Sequence, residues 1–418
     1  MEKSTGGEDV FMTTNYFYEE YFSFIITTSM KFSCGTADFV SSLQLVSRAI
    51  GSQQALPILG NILMTVEGKR CTVSATDLEL SIITSFEAKI ENEGAITIPA
   101  KAILNFAQYN NDPEVLLETN EGTNLRCTSR HAKAVIAGEA AAEFPTISSV
   151  EKQASIQLKS EPLLEALNLV TFAASRSTLR PVLSGVFVRV ESGKLILVAT
   201  DSYRLSEFIL PISGGTYDIS CIIPTKILEE LRVILASQRD RKSGKEDKKK
   251  EEKIDETKGK TSSVDVVLSR QQIELTVGHT RLVSRLIDGK FPDYRQIIPK
   301  TFSVKAAFPS NELTTAVRRM HYFAKEINNN LTFSVTKGTT HIITPQTQMG
   351  RDEATIGTEG SGEGKIALSS SYLLDFLSHI AAPDVMMEMS DAMHPAVFTV
   401  SSHPEFLHLI MPLRMQEE

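Results

Sequence analysis

The sequence predicts an α+β protein made of three tandem copies of one two-helix, multi-strand unit. The first observation behind this is an internal repeat. Pro57-Ile58-Leu59 through Ala75-Thr76-Asp77 recurs as Pro181-Val182-Leu183 through Ala199-Thr200-Asp201, without a gap and at a constant offset of 124 residues. Leu43-Gln44-Leu45-Val46 recurs as Leu167-Asn168-Leu169-Val170 at the same offset, and Ile98-Pro99-Ala100-Lys101 as Ile223-Pro224-Thr225-Lys226 at 125. A period of this size is a whole domain, not a solenoid repeat. The second observation is a third, weaker copy. Phe144-Pro145 and Phe291-Pro292 close successive units 147 residues apart, and the surplus lies in the charged run from Arg239 to Ser262. Allowing for it, Leu331-Thr332-Phe333-Ser334-Val335 through Ile343 falls where the third alternating segment belongs.

The elements follow from periodicity. Each unit is expected to open on a helix with apolar residues at helical spacing: Phe39, Leu43, Val46 and Ile50, ending near Gly51; Leu163, Leu164, Leu167, Val170 and Phe172; Leu313, Val317, Met320 and Phe323. Val186–Val190 and Leu195–Val198 are β-rich runs around Glu191-Ser192-Gly193-Lys194, a hairpin signal. Second helices are expected over Lys101–Tyr109, Lys226–Ser237 and Ser370–Ile380, with further strands such as Ile273–Val277 and Arg281–Leu286. Alternating and helical segments in each unit give the α+β class. The run from Arg239 to Ser262 is too polar to offset its ordering entropy and reads as a solvated loop. The domains expected are 30–153, 154–300 with that insertion at about 239–262, and 301–418. Residues 1–29 match no repeat. They are expected to be a disordered extension, or to lie upstream of a natural start at Met30.

Composition narrows the function classes. Apolar content of 42% supports a core in each unit. Cys34, Cys71, Cys127 and Cys221 lie far apart without metal-ligand spacing, which argues against a zinc site and a disulfide framework and fits a reducing compartment. No apolar run approaches about 18 residues, so no membrane span is expected. A net charge of −8 argues against holding nucleic acid by bulk attraction, yet it leaves room for a local basic surface. Cations recur on the expected helices: Arg48 and Lys101; Arg176, Lys226, Arg232 and Arg239; Arg318, Arg319 and Lys325. If the copies sit side by side in one orientation, these cations share one surface. A competing enzyme reading makes Asp77 and Asp201 catalytic carboxylates, with His131 or His341 as base. Their equivalent places in copied units favour a shared structural turn instead. No phosphate loop, metal cluster or nucleophile motif appears, and no cofactor is expected. A scaffold ring without DNA binding is the other alternative; it gives no reason for cations in all three units.

Several motifs together resemble the bacterial DNA polymerase III β subunit family of sliding clamps. They are Leu56-Pro57-Ile58-Leu59-Gly60-Asn61, Ala75-Thr76-Asp77-Leu78-Glu79, Arg180-Pro181-Val182-Leu183-Ser184-Gly185, Ala199-Thr200-Asp201-Ser202-Tyr203-Arg204-Leu205, Asp288-Gly289-Lys290-Phe291-Pro292-Asp293-Tyr294-Arg295 and Met411-Pro412-Leu413-Arg414-Met415. They run in order over about residues 30–415. The resemblance implies a non-catalytic processivity factor, cytoplasmic and nucleoid-associated. Two chains would join head to tail in a six-domain ring, with twelve helices lining a hole that encircles duplex DNA. Domain 1 of one subunit would meet domain 3 of the other, and Ala134, Val135 and Ile136, with Ala137, are the candidate edge strand. DNA-facing candidates are Arg48, Gln53, Lys101, Arg176, Arg180, Lys226, Arg232, Arg318 and Arg319. Gln53 stands where many relatives carry a basic residue.

A partner-peptide pocket between domains 2 and 3 is also implied. It would dock Gln/Leu/Phe-type peptides of the replicative polymerase, the clamp loader and repair proteins. The matching positions are Leu183, Thr200, Ser202, Tyr203, Arg204, Leu205, Pro292, Gln296, Ile297, Pro395, Leu409, Ile410, Met411, Pro412, Leu413, Arg414 and Met415. Leu183, Leu205, Ile297, Ile410 and the two Met would supply an apolar hole, and Met adapts to varied partners. Thr200, Arg204 and the backbone near Met411 are expected to fix polar peptide atoms. Ser202-Tyr203 replaces a smaller pair common in relatives, and Gln416-Glu417-Glu418 adds charge near the pocket mouth.

Overall fold

The computed structural model describes residues 29–51, 56–119, 122–177, 179–212, 219–246 and 263–415. Gln53, the extension up to residue 28, most of the charged insertion and residues 416–418 lie outside them. Six helices occur among the described residues: α1 Thr36–Ser47, α2 Ala100–Gln108, α3 Ser160–Val170, α4 Thr225–Glu246, α5 Ser310–Ala324 and α6 Ser370–His379. They pack as the pairs α1–α2, α3–α4 and α5–α6, one pair per repeat.

Each repeat opens on a strand, not on the expected helix. Lys31–Gly35, Ala154–Lys159 and Val304–Pro309 run directly into α1, α3 and α5. These strands are short and only half apolar, so they are weak against the helical period that follows. Three helices are entered through a proline ending the preceding strand: Pro99, Pro224 and Pro309. Proline lacks the N–H that a first helical turn would leave unpaired, and its fixed φ suits helix entry. A second correction concerns the charged insertion. Arg239 continues α4, which runs through Glu246 before the described chain breaks off. Lys, Arg and Glu are good helix formers, and extending a helix already nucleated by packing costs little. Phe172 falls in a 3-10 turn, Thr171–Ala173, beyond the end of α3.

The chain forms two compact units, although its sequence repeats three times. The first takes the chain to Lys152 together with Val266–Leu268 and Gln272–Ser284; the second takes the rest. Strand pairing explains the division. Leu80–Glu87 of repeat 1 pairs antiparallel with Thr280–Arg285 of repeat 2, with Leu80 opposite Ser284 and Thr84 opposite Thr280. The hydroxyls of Thr84 and Thr280 are 3.0 Å apart within that ladder. The last hairpin of repeat 2 is thereby absorbed into the sheet of repeat 1. Repeats 2 and 3 fuse likewise: Arg204–Pro211 pairs with His403–Ile410 inside a nine-stranded sheet. The expected hairpin is present as Gly185–Glu191 and Lys194–Thr200, turning through Ser192 and Gly193, both at positive φ.

Helices cover the sheets by apolar faces. Phe39, Leu43 and Val46 of α1 are buried against the strands of repeat 1. Leu163, Leu164, Leu167 and Val170 of α3, and Leu313, Val317 and Met320 of α5, do the same. Each fully buried apolar side chain contributes about 1.5–3 kcal/mol. Cys34, Cys71 and Cys127 are buried free thiols and Cys221 is half-buried; burial pushes Cys34, Cys127 and Cys221 up to about 12. At that value a thiol is neutral and unreactive.

The repeated Ala-Thr-Asp builds the same turn twice. Thr76 Oγ1 accepts from Leu78 N and donates to the Leu80 carbonyl, while Asp77 Oδ1 accepts from Glu79 N and Leu80 N. In the second copy Thr200 Oγ1 accepts from Ser202 N and donates to the Arg204 carbonyl, and Asp201 Oδ1 accepts from Tyr203 N and Arg204 N. These aspartates hold backbone N–H groups, which overturns their reading as catalytic carboxylates. Leu78 and Ser202 take the left-handed conformation, at φ 74° and 83°. Left-handed backbone costs a side-chain-bearing residue about 1–2 kcal/mol, which glycine avoids. Leu78→Gly is therefore expected to be more stable than Leu78→Ala by about 1 kcal/mol, the reverse of the usual helix or strand order. Thermal unfolding of the two variants checks the order.

Candidate functional site

The site lies in the second unit, built on a buried apolar cluster. Leu183, Ile196, Val198, Leu205, Ile222, Phe291, Tyr294 and Leu409 form one buried cluster, with Val182, Ile298 and Met411 packed against it half-buried. Register accounts for the gathering. Leu205 lies opposite Leu409, so both point to the same face of the sheet. Tyr294 closes the floor and donates from its hydroxyl to Glu207 at 2.5 Å. Burial, then the Glu207 carboxylate, pushes that phenol well above its ordinary value.

The walls are a turn and the chain's tail. Ser202 and Tyr203 are exposed at the tip of the Asp201–Arg204 turn. Arg180 lies beside them, donating to Ser202 Oγ at 3.1 Å. Leu179, 91% exposed, precedes it. Arg180, expected among the DNA-facing cations, is exposed beside this turn. Met411–Met415 leaves the last strand without regular structure yet is pinned. Met411 N donates to the Tyr203 carbonyl, Leu413 N to the Ala367 carbonyl, and Asn330 Nδ2 to the Arg414 carbonyl. Met411, Pro412 and Leu413 are half-buried, while Arg414 and Met415 are exposed. Pro292, Gln296 and Ile297 are exposed beside the floor, and Gln296 Nε2 is already donating to Asp293. Pro395 is buried just before Ala396, the strand partner of Ile410.

Two expected peptide contacts are engaged within the protein itself. Thr200 Oγ1 spends its hydrogen on the Arg204 carbonyl, 2.6 Å away. Arg204 lies one residue out of phase with Leu205, so its side chain passes to the opposite face of the strand. There its Nε donates to Asp201 Oδ2 at 3.1 Å, Nη1 to Asp375 Oδ2 at 2.5 Å and Nη2 to the Phe172 carbonyl at 2.8 Å. The guanidinium also lies 4.8 Å from the Tyr372 ring centre and 5.5 Å from that of Phe172. At 8% exposure, Arg204 is an internal strut. Ile410, opposite Arg204 in register, also faces away from the floor. Tyr372, Asp375, Phe172 and His408 belong to the site and were not foreseen. They come from three distant elements, and no local pattern links them.

Behind the recess His408 is completely buried. Its Nδ1 is 2.8 Å from Ser206 Oγ, and its ring stacks on Phe376 at 4.7 Å and leans on Phe172. Burial, then the nearby Arg204 and His379, holds its proton affinity well below the ordinary histidine value.

The other expected residues are scattered by comparison. Arg48, Lys101, Arg176, Lys226 and Arg318 are exposed. Arg232 is half-buried and donates to Asn168 at 3.2 Å, tying α4 to α3. Arg319 is engaged by Asp352, at 2.8 and 3.0 Å, and by the Glu353 carbonyl. Ala134, Val135 and Ile136 lie on Lys133–Ala137, one of the two edge strands of a five-stranded sheet, and Val135 is 62% exposed. His131 is paired with Asp112 and His341 lies near Glu353. Among the described residues no cluster of His, Cys, Asp or Glu could hold a metal, and no helix is long and apolar enough to cross a membrane.

A chain of three tandem α+β domains of this kind is a clamp-fold subunit. Models of the DNA polymerase III beta subunit match most of it: the N-terminal domain over residues 30–148, the central domain over 157–242 and the C-terminal domain over 295–414. The chain belongs to the DNA polymerase III beta subunit family. The beta sliding clamp of Synechocystis sp. is 30% identical over 409 residues, covering 92% of this chain and all of that protein. That of Staphylococcus aureus is 25% identical over 396 residues, covering 92% and 99%. The solved sliding clamp of Bacillus subtilis superposes with a TM-score of 0.82 at 24% identity, over 93% of this chain and 100% of its own. The clamp of Bartonella birtlesii, solved bound to griselimycin, gives 0.82 at 25% identity over the same shares.

His408 makes acid stability a test of this packing. The folded state holds the ring neutral, whereas the unfolded chain takes a proton near pH 6.5. The unfolded state therefore binds more protons below that pH, and the His408 contribution is full above it and lost as pH falls. Each unit below pH 6.5 is expected to cost up to about 1.4 kcal/mol from this one group. Melting temperatures at pH 7 and pH 5 measure it, and His408→Gln is expected to flatten the slope.

Proposed function

We propose that this chain is a DNA sliding clamp. Two copies join head to tail in a ring that encircles duplex DNA and tethers the replicative polymerase, the clamp loader and repair proteins. It performs no chemistry of its own and works in the cytoplasm at the nucleoid. The observation that carries this reading is the recess of the second repeat. Over the buried Leu183, Leu205 and Leu409, the half-buried Val182, Ile298 and Met411 offer apolar surface beside the Tyr203 turn and the pinned Met411–Leu413 tail. Such a recess suits the Leu or Phe anchor of a short peptide. Griselimycin bound to the Bartonella birtlesii clamp is a precedent for ligand capture by a relative.

The acidic net charge fits a ring. A closed ring needs no tight phosphate grip, and a few cations give weak, salt-sensitive, sequence-independent contacts that permit sliding. Arg48, Lys101, Arg176, Lys226, Arg232 and Arg318 remain the proposed DNA-facing set, with Gln53 as an uncharged contact and Arg319 already neutralised by Asp352. Lys133–Ala137 supplies the proposed subunit edge, since an unpaired strand edge is a template for pairing with a second chain. The proposed domain limits are 30–153, 154–300 and 301–418.

Loading tests the ring directly. With clamp loader and ATP, the protein is expected to stay on nicked circular DNA through gel filtration and to run off after linearisation. Equal retention on both would reject topological binding. Light scattering is expected to give a dimer of about twice the 46.1 kDa chain mass. Deleting Met411–Glu418 is expected to abolish binding of a Gln/Leu/Phe peptide, measured by fluorescence polarisation, while leaving that dimer intact.

A further inference from the structure

We infer that Asp375 is a positioning residue for the peptide pocket, setting the separation of its two walls through Arg204. The inference rests on the proposed reading of the recess as a partner-peptide site. Three links form a closed triangle around the pocket. Turn and tail are joined by Met411 N on the Tyr203 carbonyl. Tail and repeat 3 are joined by Leu413 N on the Ala367 carbonyl, and Ala367 lies on the strand Gly364–Ser369 that leads directly into α6. The third side is Arg204 itself, held to the turn by Asp201 and to α6 by Asp375.

That third side is the only charged one. The Arg204 side chain is 9% exposed and that of Asp375 35%, so the pair is sheltered on the arginine side and reached by water on the aspartate side. Asp375 stands on α6, outside the apolar floor, and Tyr372 one turn earlier supports the guanidinium from its ring face. Without the Asp375 carboxylate, α6 and the tail pinned beside it lose their charged tie to the turn that carries Ser202 and Tyr203. The walls are then free to vary in spacing, and an anchor side chain meets a recess that is no longer preorganised.

A fluorescent peptide with a Gln and a Leu-Phe pair, titrated against full-length protein, tests this. Asp375→Ala is expected to weaken binding about tenfold or more, and Asp375→Glu to return it to within about threefold. The double variant Asp375→Leu with Arg204→Met separates positioning from plain stability, because an apolar pair of similar volume can replace a buried ion pair without loss of stability. It is expected to recover the parental melting temperature while binding remains about tenfold weak. Peptide affinity that returns fully with the melting temperature in the double variant would overturn the inference. So would parental affinity in every Asp375 variant. If Asp375→Ala fails to fold, the double variant decides. A parent chain that binds no peptide overturns the pocket reading and this inference together. A parent that binds equally with or without Asp375 overturns this inference alone.

Discussion

The antiparallel pairing of Arg204–Phe208 with Phe406–Ile410 is the constraint on which the second unit depends. It welds repeat 2 to repeat 3 by a continuous ladder and fixes which side chains face which way. With Leu205 opposite Leu409, one face of the weld becomes an apolar floor. With Arg204, Ser206 and His408 on the other face, the reverse side becomes a polar layer against Phe172 and Phe376. A slip of one residue would exchange the two faces, turning Arg204 into the floor and Leu205 into the helices. The tail Met411–Leu413 continues the same strand, so its position beside the Tyr203 turn is inherited from this register.

Burial makes that reverse layer demanding. A guanidinium at 8% exposure must be surrounded by acceptors, and Asp201, Asp375 and the Phe172 carbonyl provide them. The neighbouring histidine must stay neutral beside that cation. One motif therefore does two jobs. The Ala-Thr-Asp turn presents Tyr203 outward, and its aspartate also holds the strut inward.

Much of this was legible in the sequence, and the rest was hidden for identifiable reasons. The 124-residue repeat, the hairpin around Ser192-Gly193 and the helical faces of Leu43, Leu167 and Val317 depend on local periodicity, which is written in neighbouring residues. The opening strands were missed because Lys31–Gly35 and its counterparts are short beside the helices they feed. The length of α4 was missed because a charge-rich run was read as solvated loop, although its residues favour helix once packing has started one. Leu183, Leu205, Leu409 and Met411 were named together from their motifs, and they pack in one cluster. Arg204 was named, but its internal ties were not legible, because its direction depends on a pairing register with residues about 200 positions away. Asp375 and His408 carry no local signal at all; burial and a distant partner give them their significance.

The unequal second helices have a consequence for symmetry. α2 has 9 residues, α6 has 10 and α4 has 22. At 1.5 Å per residue α4 is about 33 Å long, roughly double its counterparts. Three copies of one fold would otherwise present the same helical outline three times, and anything binding there would find three equivalent addresses. The long helix marks the middle repeat as distinct and gives the chain a sense of direction that duplication alone would have erased.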